Sequence, residues 1–387
     1  MTLLEIGQLT AAAPRTSPDW VRISYASALA LRFKSGRFTR DFDFGGINLL
    51  LNYAEGCQSD CGYCGLARSR AGEYEHKSFI RVEWPLVGTD ALVDRMARYE
   101  DRLTRLCISM VTHGFAYRDT VDIARRIRQR VATPLSILVA PPTLNEDRLR
   151  ELKDAGADMI GIGLDAVTEQ LFRSIRSDVP QGGLDWQNYW QIVDHARDIY
   201  GPWKVNCHTL VGLGENDHDL MQIFSQLLDR QIFSYLFCFN PEPDSRLAAA
   251  PKSSVSRWRR IQLAKFLLEE VGVAPDAFDY DADGMLRKIS APSELVDRVV
   301  ADGHAFMTNG CPGAGGEPGC TRPMGSWRPG EEPRDYPWLP GGEDRAEIVA
   351  QLALDDVLRP GPAPTRPATE LAPPAAGRIS SQPHNSI

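Results

Sequence analysis

The amino-acid sequence predicts an α/β fold, a partial barrel of six strand–helix units followed by a C-terminal extension that carries cysteines. Two observations support this fold class. Short apolar runs, each long enough for one buried strand, alternate with segments whose apolar residues recur at helical spacing. Alternation of this kind is typical of a parallel sheet with right-handed connections. Six units are fewer than the eight of a closed barrel, so we expect the barrel to be open.

The predicted elements alternate strictly along the chain. Apolar runs such as 47–53 (INLLLNY) predict buried strands, and apolar residues on one side, such as Leu92, Met96 and Tyr99, predict helices. The predicted strands are 47–53, 103–111, 134–140, 158–164, 203–212 and 233–239. The predicted helices are 92–102, 120–131, 145–156, 186–200, 218–230 and 255–271.

Composition divides the chain into regions. Residues 1–45 form an N-terminal extension with little pattern, and residues 46–250 contain the partial barrel. Residues 251–345 hold a C-terminal helix and a cysteine-bearing region rich in Gly and Pro. Residues 359–387 are rich in Pro, Ala and Ser and have almost no large apolar side chain, so they are predicted to be disordered.

Charge and hydropathy exclude several classes of protein. The 387 residues carry a formal net charge of −8, which argues against a partner of duplex nucleic acid, because such proteins present a basic face. No run of about 18 uncharged apolar residues is present, and the N-terminus lacks the basic start and apolar stretch of a signal peptide. We therefore expect a cytoplasmic protein without a membrane span.

The eight cysteines are distributed unevenly. A disulfide framework is not expected in a cytoplasmic chain of this size, and grouped cysteines there are more often metal ligands or redox groups. Three of them crowd into the stretch 57–64, and two others flank a Gly/Pro-rich loop near the C-terminal end. The cysteines are Cys57, Cys61, Cys64, Cys107, Cys207, Cys238, Cys311 and Cys320.

The strongest chemical signal is the motif EGCQSDCGYC at 55–64, directly after the first predicted strand. Its three thiolates, from Cys57, Cys61 and Cys64, can hold one face of a compact metal centre. Structural zinc takes four ligands, whereas three thiolates suit a [4Fe–4S] cluster with one iron left open. A zinc knuckle with a distant fourth ligand, or chance clustering, remains an alternative. Because chemistry in such barrels sits at the carboxyl ends of the strands, we expect this loop at the barrel mouth.

C-x3-C-x2-C with an aromatic residue before the last cysteine resembles the cluster loop of the radical S-adenosylmethionine (SAM) enzymes. The resemblance implies a partial (β/α)6 TIM-type barrel in which Cys57, Cys61 and Cys64 hold three irons of a [4Fe–4S] cluster. SAM would chelate the fourth iron, and one electron would cleave it to a 5′-deoxyadenosyl radical that abstracts a hydrogen from the substrate. The implied electron donor is a small reductant such as flavodoxin or ferredoxin.

The same resemblance implies further SAM-binding residues. Tyr63 is similar to the family aromatic near the adenine, and Asp165, at the end of the fourth predicted strand, to the acidic residue that binds the ribose. Arg173 and Arg176 would meet the SAM carboxylate, since guanidinium pairs with carboxylate in a fork. Asp165 as a helix N-cap and either arginine as a surface residue are the alternatives.

The motif VGLGE at 211–215 resembles the glycine motif that the family places beside the adenine after its fifth strand. Gly212 and Gly214 are therefore expected to bind the cofactor. Plain turn glycines are the alternative, because glycine adopts positive φ without steric cost.

Within the family, the core resembles biotin synthase and the two-component lipoyl synthases. The third predicted strand lacks the cysteine that biotin synthase uses for its second cluster, so a cluster of that type is not expected. The segment that joins Cys311 to Cys320 and continues as Cys-x-Arg-Pro resembles the C-terminal region of the lipoyl synthases. With Cys207 expected to face the cavity, Cys207, Cys311 and Cys320 would hold an auxiliary [4Fe–4S] cluster.

Simpler interpretations stay open for these cysteines. Cys107 and Cys238 lie in apolar strands and are interpreted as plain core residues, because free cysteine is among the most buried residue types. Cys207 can be core as well, and Cys311 with Cys320 can bind zinc. The predicted function is insertion of sulfur from the auxiliary cluster into a small-molecule or carrier-bound substrate. The alternative is a radical SAM dehydrogenase, epimerase or carbon-skeleton enzyme of antibiotic or nucleoside biosynthesis, whose second cluster is electron-transferring or structural.

Substrate recognition is only weakly indicated by the sequence. Asn240 and Arg246 follow the sixth predicted strand, at the expected barrel mouth. Both are therefore expected to touch a polar or anionic substrate, and no residue is predicted to be catalytic in its own right.

Overall fold

An eight-stranded sheet forms the centre of the protein in a computed structural model, which describes residues 15–177, 183–308, 310–325, 327–328 and 330–373. Its strands are β1 (Trp20–Ile23), β2 (Gly46–Leu51), β3 (Leu86–Gly88), β4 (Arg105–Ser109), β5 (Leu135–Val139), β6 (Met159–Asp165), β7 (Val205–Val211) and β8 (Phe233–Cys238). They lie side by side in the order β3-β1-β2-β4-β5-β6-β7-β8.

The six strands predicted from apolar runs are β2 and β4 to β8, and all of them pair in parallel. β1 pairs antiparallel with both β2 and β3 and extends the sheet beyond β2. Among the described residues, no pairing joins β8 back to the opposite edge. The fold class is therefore confirmed as an open, partial barrel.

Helices connect the parallel strands, as expected for right-handed crossovers. They are α1 (Tyr25–Ala30), α2 (Thr89–Arg98), α3 (Ala116–Arg128), α4 (Glu146–Asp154), α5 (Glu169–Phe172), α6 (Trp186–Tyr200), α7 (Asp217–Asp229), α8 (Val255–Phe266), α9 (Ser293–Asp302) and α10 (Gly342–Leu352). Capping side chains define several starts: Asn145, Asp185 and Asn216 each accept a backbone N–H three residues further on. In the described part of the chain, no helix combines the length and apolarity needed to span a bilayer.

Several elements were not predicted from the sequence. β1 and β3 have four and three residues, too few to show a hydrophobic period. α9 and α10 lie among the Gly/Pro-rich loops. A small second sheet joins β9 (Phe278–Tyr280), β10 (Leu286–Ser290) and β11 (Leu358–Arg359). Residues of the predicted N-terminal extension thus complete the main sheet.

The region predicted as a disordered tail differs from that expectation over residues 359–373. Leu371 and Ala372 are buried, and the Ala372 N–H donates to the Glu269 carbonyl at 2.9 Å. Arg366 pairs with Asp229 at the end of α7. The buried side chains of Leu371 and Ala372 and the ion pair of Arg366 hold this segment in place, although its composition predicted disorder. The remainder of that prediction, 374–387, lies outside the described residues.

Candidate active site

One cavity occupies the interior of the barrel towards the carboxyl ends of the parallel strands. Cys57, Cys61 and Cys64 line it at one end, and Asn48, on β2, lines it deeper in the barrel. Most of the wall between them is apolar, formed by side chains of β2, β5, β7 and β8 and of the segment after β4. These apolar wall residues are Leu50, Met110, Leu138, Leu210 and Phe237. The cysteine loop therefore lies at the barrel mouth, as predicted.

Hydrogen bonds to two neighbouring segments hold the cysteine loop. After β4, the Thr112 carbonyl accepts the Gln58 N–H at 2.7 Å, and the Ser59 hydroxyl donates to Thr112 Oγ1 at 2.7 Å. The Gly62 N–H donates to the carbonyl of Ile175 at 2.8 Å. These contacts fix the backbone on both sides of the central cysteine before any metal is bound.

Arg246 belongs to this support and not to the substrate-facing wall where the sequence placed it. Its Nη2 donates to the carbonyls of Asp60 and Ile175, both at 3.1 Å. Asn240, the other residue expected at the mouth, does line the cavity. Its Oδ1 is buried and has no hydrogen-bond partner among the described residues.

The three thiols fit an iron–sulfur cluster better than a zinc ion. Cys61 is 8% exposed, and Cys57 and Cys64 are partly buried. Burial raises the pKa of the Cys64 thiol, and the neighbouring Cys61 raises it further, so the Cys64 thiol keeps its proton when no metal is bound. A tetrahedral zinc needs sulfurs about 3.8 Å apart. Among the described residues, no three cysteine Sγ atoms all lie within 4.8 Å of one another.

Tyr63, Asp165 and Arg176 meet at the carboxyl end of β6. The Tyr63 hydroxyl donates to Asp165 Oδ2, and Arg176 Nη1 lies 3.4 Å from the same oxygen. Both Tyr63 and Asp165 line the cavity beside the cysteines. Asp165 adopts a left-handed backbone, with φ of 61°. The N-cap of α5 is Thr168, so the alternative interpretation of Asp165 as a cap is wrong.

Both terminal nitrogens of Arg176 are bound by the protein, whereas its buried Nε has no hydrogen-bond partner among the described residues. Its Nη1 donates to the Leu164 carbonyl at 2.9 Å, and its Nη2 donates to the Tyr189 hydroxyl at 3.0 Å. The guanidinium is buried, and the surrounding hydroxyls, thiol and carboxylate raise its pKa against the opposing effect of burial. Arg176 lines the cavity, and with both terminal nitrogens engaged it orients Asp165.

Three residues expected to bind the cofactor lie outside the cavity. The Arg173 side chain is 70% exposed and pairs with Glu169 one helical turn earlier. The Gly212 N–H donates to the Glu215 carboxylate at 2.8 Å, and Gly212 and Gly214 both have positive φ, 108° and 119°. The two glycines form the tight turn after β7, and neither lines the cavity. The turn interpretation of the glycine motif is the one that the geometry favours.

A second group of three cysteines lies inside the barrel, at the opposite end from the loop. It consists of Cys107 on β4 with Cys311 and Cys320 of the C-terminal segment. Burial raises the pKa of Cys107 to about 12, and the next contributions come from Cys320 and Cys311. Cys320 Sγ lies 3.6 Å from Asn48 Oδ1, so this group borders the residue that lines the depth of the cavity.

The loop between Cys311 and Cys320 folds back on itself and closes the inner end of the barrel. The Cys320 N–H donates to the Cys311 carbonyl at 3.1 Å, and the Gly313 N–H donates to the Glu317 carbonyl at 2.8 Å. Arg105, at the start of β4, donates from Nε to the Pro312 carbonyl at 2.7 Å. This segment, residues 310–320, is called the C-terminal hairpin below. It carries two cysteines to the interior.

Cys207 is not part of this group, which corrects the sequence prediction. Successive side chains of a strand alternate between its two faces. On β7, the side chains of Asn206 and His208 point into the barrel. Asn206 Nδ2 lies 3.5 Å from Cys311 Sγ, and His208 lines the cavity. Cys207 is fully buried on the other face, where the nearest charged groups are Arg230 and Asp194 of the outer helices.

The second cysteine group is surrounded by polar side chains that were not predicted as site residues. The Tyr235 hydroxyl faces the Cys311 thiol and has no nitrogen or oxygen partner among the described residues. Asn206 Oδ1 is also buried without a partner in that part of the chain. Ser136, on β5, contacts the thiols of Cys107 and Cys311. A fully buried, incompletely bonded set of donors of this kind fits a metal group, since buried polar groups are otherwise paired.

A weak signal for the second group was present in the sequence. Arg105, Cys107 and Ser109 alternate with Leu106 and Ile108 along β4, which is the period of a strand with one polar face. A strand buried on both sides rarely shows this pattern, and an inward-facing polar row marks a site.

Comparison with known proteins gives the same class as the site. Residues 51–227 match the model of the Radical SAM superfamily. That segment is a little under half of the chain, and together with the similarity to biotin synthases it supports a radical SAM enzyme of the biotin synthase-like group. It is 25% identical to biotin synthase of Rhodopseudomonas palustris strain BisB18 over 69% of this chain and 75% of that protein.

Two further similarities cover smaller shares of the chain. Identity with biotin synthase of Cupriavidus metallidurans is 26%, over 57% of this chain and 62% of that protein. Methylornithine synthase superposes with a TM-score of 0.44 at 12% identity, covering 57% of this chain and 61% of that chain. The matched segments of these two proteins are less than two thirds of their lengths, and neither similarity bears on the substrate.

Proposed function

We propose that the protein is a radical SAM enzyme that inserts sulfur from a second iron–sulfur cluster into its substrate. Cys57, Cys61 and Cys64 would hold the first [4Fe–4S] cluster, and SAM would occupy its open iron. When both groups are bound, they supply a 5′-deoxyadenosyl radical for hydrogen abstraction and a source of sulfur for the substrate carbon. The proposed surroundings are cytoplasmic, with a small reductant such as flavodoxin or ferredoxin as the electron donor.

One observation carries this proposal: the first group of three cysteines lines the cavity, and the second lies directly behind Asn48, which lines the inner end of the same cavity. The first group lies at the mouth and the second at the inner end, where Asn48 separates Cys320 from the open space. A cluster that only relays electrons needs no access to a substrate, whereas a sulfur donor must lie close to it. The biotin synthases similar in sequence support the same reaction class.

The residues around SAM have assigned tasks in this proposal. Asp165 would accept the ribose hydroxyls, because its carboxylate lines the cavity beside the cysteine loop. Tyr63 and Arg176 hold that carboxylate in place by hydrogen bonding and charge. Arg105 would position the second cluster through the hairpin, since it bonds Pro312 directly after Cys311.

The proposal is tested by tracing sulfur. The full chain is reconstituted anaerobically with iron and ³⁴S-labelled sulfide, then supplied with SAM, reductant and small-molecule and protein fractions of a host extract. The expected result is an ³⁴S-labelled product together with 5′-deoxyadenosine. Formation of 5′-deoxyadenosine with a product that lacks the label would instead favour dehydrogenase, epimerase or carbon-skeleton chemistry.

A further inference from the structure

Arg322 is a cation that faces the cavity without a carboxylate partner among the described residues. It lies two residues after Cys320 and lines the cavity near the second cysteine group. Its guanidinium carbon lies 4.2 Å from the centre of the Phe237 ring, and its Nη2 is 3.5 Å from His208 Nδ1. Neither contact neutralises its charge.

The two acidic side chains of the cavity are engaged elsewhere. Asp165 is bound by Tyr63 and Arg176 at the end of β6. Glu242 accepts the Ser78 hydroxyl at 2.9 Å and also the backbone N–H of Arg81.

His208 adds no compensating charge. Burial and the neighbouring Arg322 lower the pKa of His208 well below its ordinary value, so its ring is neutral at physiological pH. Arg322 therefore presents a positive charge to a largely apolar cavity.

A half-buried charge of this kind is costly unless a ligand compensates it. Guanidinium groups bind carboxylate and phosphate oxygens through paired hydrogen bonds, and an aromatic face below the guanidinium fixes its plane. Leu210 and Phe237 continue the cavity wall beside it. The geometry suits a substrate with an apolar body and one oxyanion.

We propose that Arg322 binds a carboxylate or phosphate of the substrate, and that the substrate is a small anionic molecule and not a neutral chain. This inference rests on the proposed function for the reaction that follows, but the anion site itself is defined by binding alone. The oxyanion would lie at the inner end of the cavity, next to the second cysteine group. The apolar body would extend from there towards SAM.

Arg81 provides a matched control. It also lines the cavity, but its Nη1 already pairs with Glu331 at 3.1 Å. The experiment measures binding of hexanoate, hexyl phosphate and hexanamide to the reconstituted full chain with SAM, by calorimetry. One of the two oxyanions should bind at least about ten-fold more tightly than the amide, the effect of a charged hydrogen bond; which one does identifies the group as carboxylate or phosphate.

Substitutions then test whether Arg322 itself causes the tighter binding of the oxyanion. Arg322→Gln should reduce the affinity for that oxyanion about ten-fold or more, to the level of the amide. Arg322→Lys should retain part of this affinity. In Arg81→Gln the affinity should stay within about two-fold of that of the unchanged protein. Equal binding of oxyanions and amide, or unchanged oxyanion affinity in Arg322→Gln, would overturn the inference. So would loss of iron in both Arg322 variants, because Arg322 would then belong to the metal centre. Loss of labelled sulfur with anion binding intact would count against the proposed function alone.

Discussion

Cys107 and Cys207 lie in the same sheet but on opposite faces of it. The Cys107 thiol points into the barrel towards Cys311 and Cys320, whereas the Cys207 thiol is packed between β7 and the outer helices. Both residues occupy the third position of their strands, but Cys107 lies in the row of polar side chains of β4, whereas Cys207 alternates with the polar Asn206 and His208 of β7. The pair therefore offers a direct test of which cysteines form the second metal site.

The first prediction compares these two cysteines by iron content. In a chain that lacks the first cluster through Cys57, Cys61 and Cys64→Ala, we expect about four irons to remain. Adding Cys107→Ala should remove most of that iron, because a ligand is lost. Adding Cys207→Ala should leave the iron in place, since that thiol only fills space. Iron retained without Cys107 but lost without Cys207 would reverse the assignment.

The second prediction concerns the first cluster. Cys61→Ala should abolish formation of 5′-deoxyadenosine, because two thiolates do not hold a cluster whose full ligation takes four ligands. Cys238→Ala is the matched control, since Cys238 also lines the cavity but belongs to neither cysteine group. Chromatography of the nucleoside after anaerobic reduction gives the measurement. Cleavage of SAM at the original rate in Cys61→Ala would contradict the proposed role of the loop.

The third prediction concerns Asp165 and SAM. Asp165→Ala should weaken SAM binding by about 1.5–3 kcal/mol, which corresponds to roughly 10- to 150-fold, because hydrogen bonds to a charged group are lost. Iron content should not change. The control is Asp185→Asn at the start of α6, where asparagine caps as well as aspartate. Equilibrium dialysis with labelled SAM provides the affinities, and an unaltered affinity in Asp165→Ala would remove Asp165 from the SAM site.

The fourth prediction concerns the hold on the C-terminal hairpin. Arg105 is almost completely buried, bonds Pro312 and pairs with Asp158. Arg105→Gln should lower the free energy of unfolding by about 1–3 kcal/mol, because the Pro312 carbonyl loses its donor in a buried position. Urea unfolding of the metal-free protein measures this change, with the exposed Arg102→Gln as control. A loss no larger than that of the control would mean that the hairpin is held by other contacts.

Strand prediction from the sequence succeeded where the physical signal is strong. Strands of a parallel sheet are buried on both faces and appear as continuous apolar runs, and the six runs matched β2 and β4 to β8. Because these strands are buried on both faces, their apolar runs do not show which residues face the inside of the barrel. Cys107 and Cys207 were both interpreted from apolar strands, and the choice between them was reversed by the structure.

Short sequence motifs predicted some of the site residues and not others. The C-x3-C-x2-C spacing specifies its own chemistry, because all three ligands come from one short loop whose geometry is local. Asp165 and Tyr63, predicted to bind SAM, line the cavity beside that loop, and their role stays a prediction. Arg173 and the glycines Gly212 and Gly214 were not, since an arginine or a glycine after a strand has the same sequence appearance in a site and in a turn.

What the sequence by itself determined is the order of strands and helices, the three-cysteine loop at the mouth and the presence of a cysteine-bearing C-terminal segment. These are properties of adjacent residues and of hydrophobic period. Only the tertiary structure decided that Cys107 joins Cys311 and Cys320 and that Arg322 faces the cavity unpaired. Strand register determines which alternate side chains point inward, and packing brings together residues more than 200 positions apart. Both are consequences of how the whole chain folds, which no local pattern encodes.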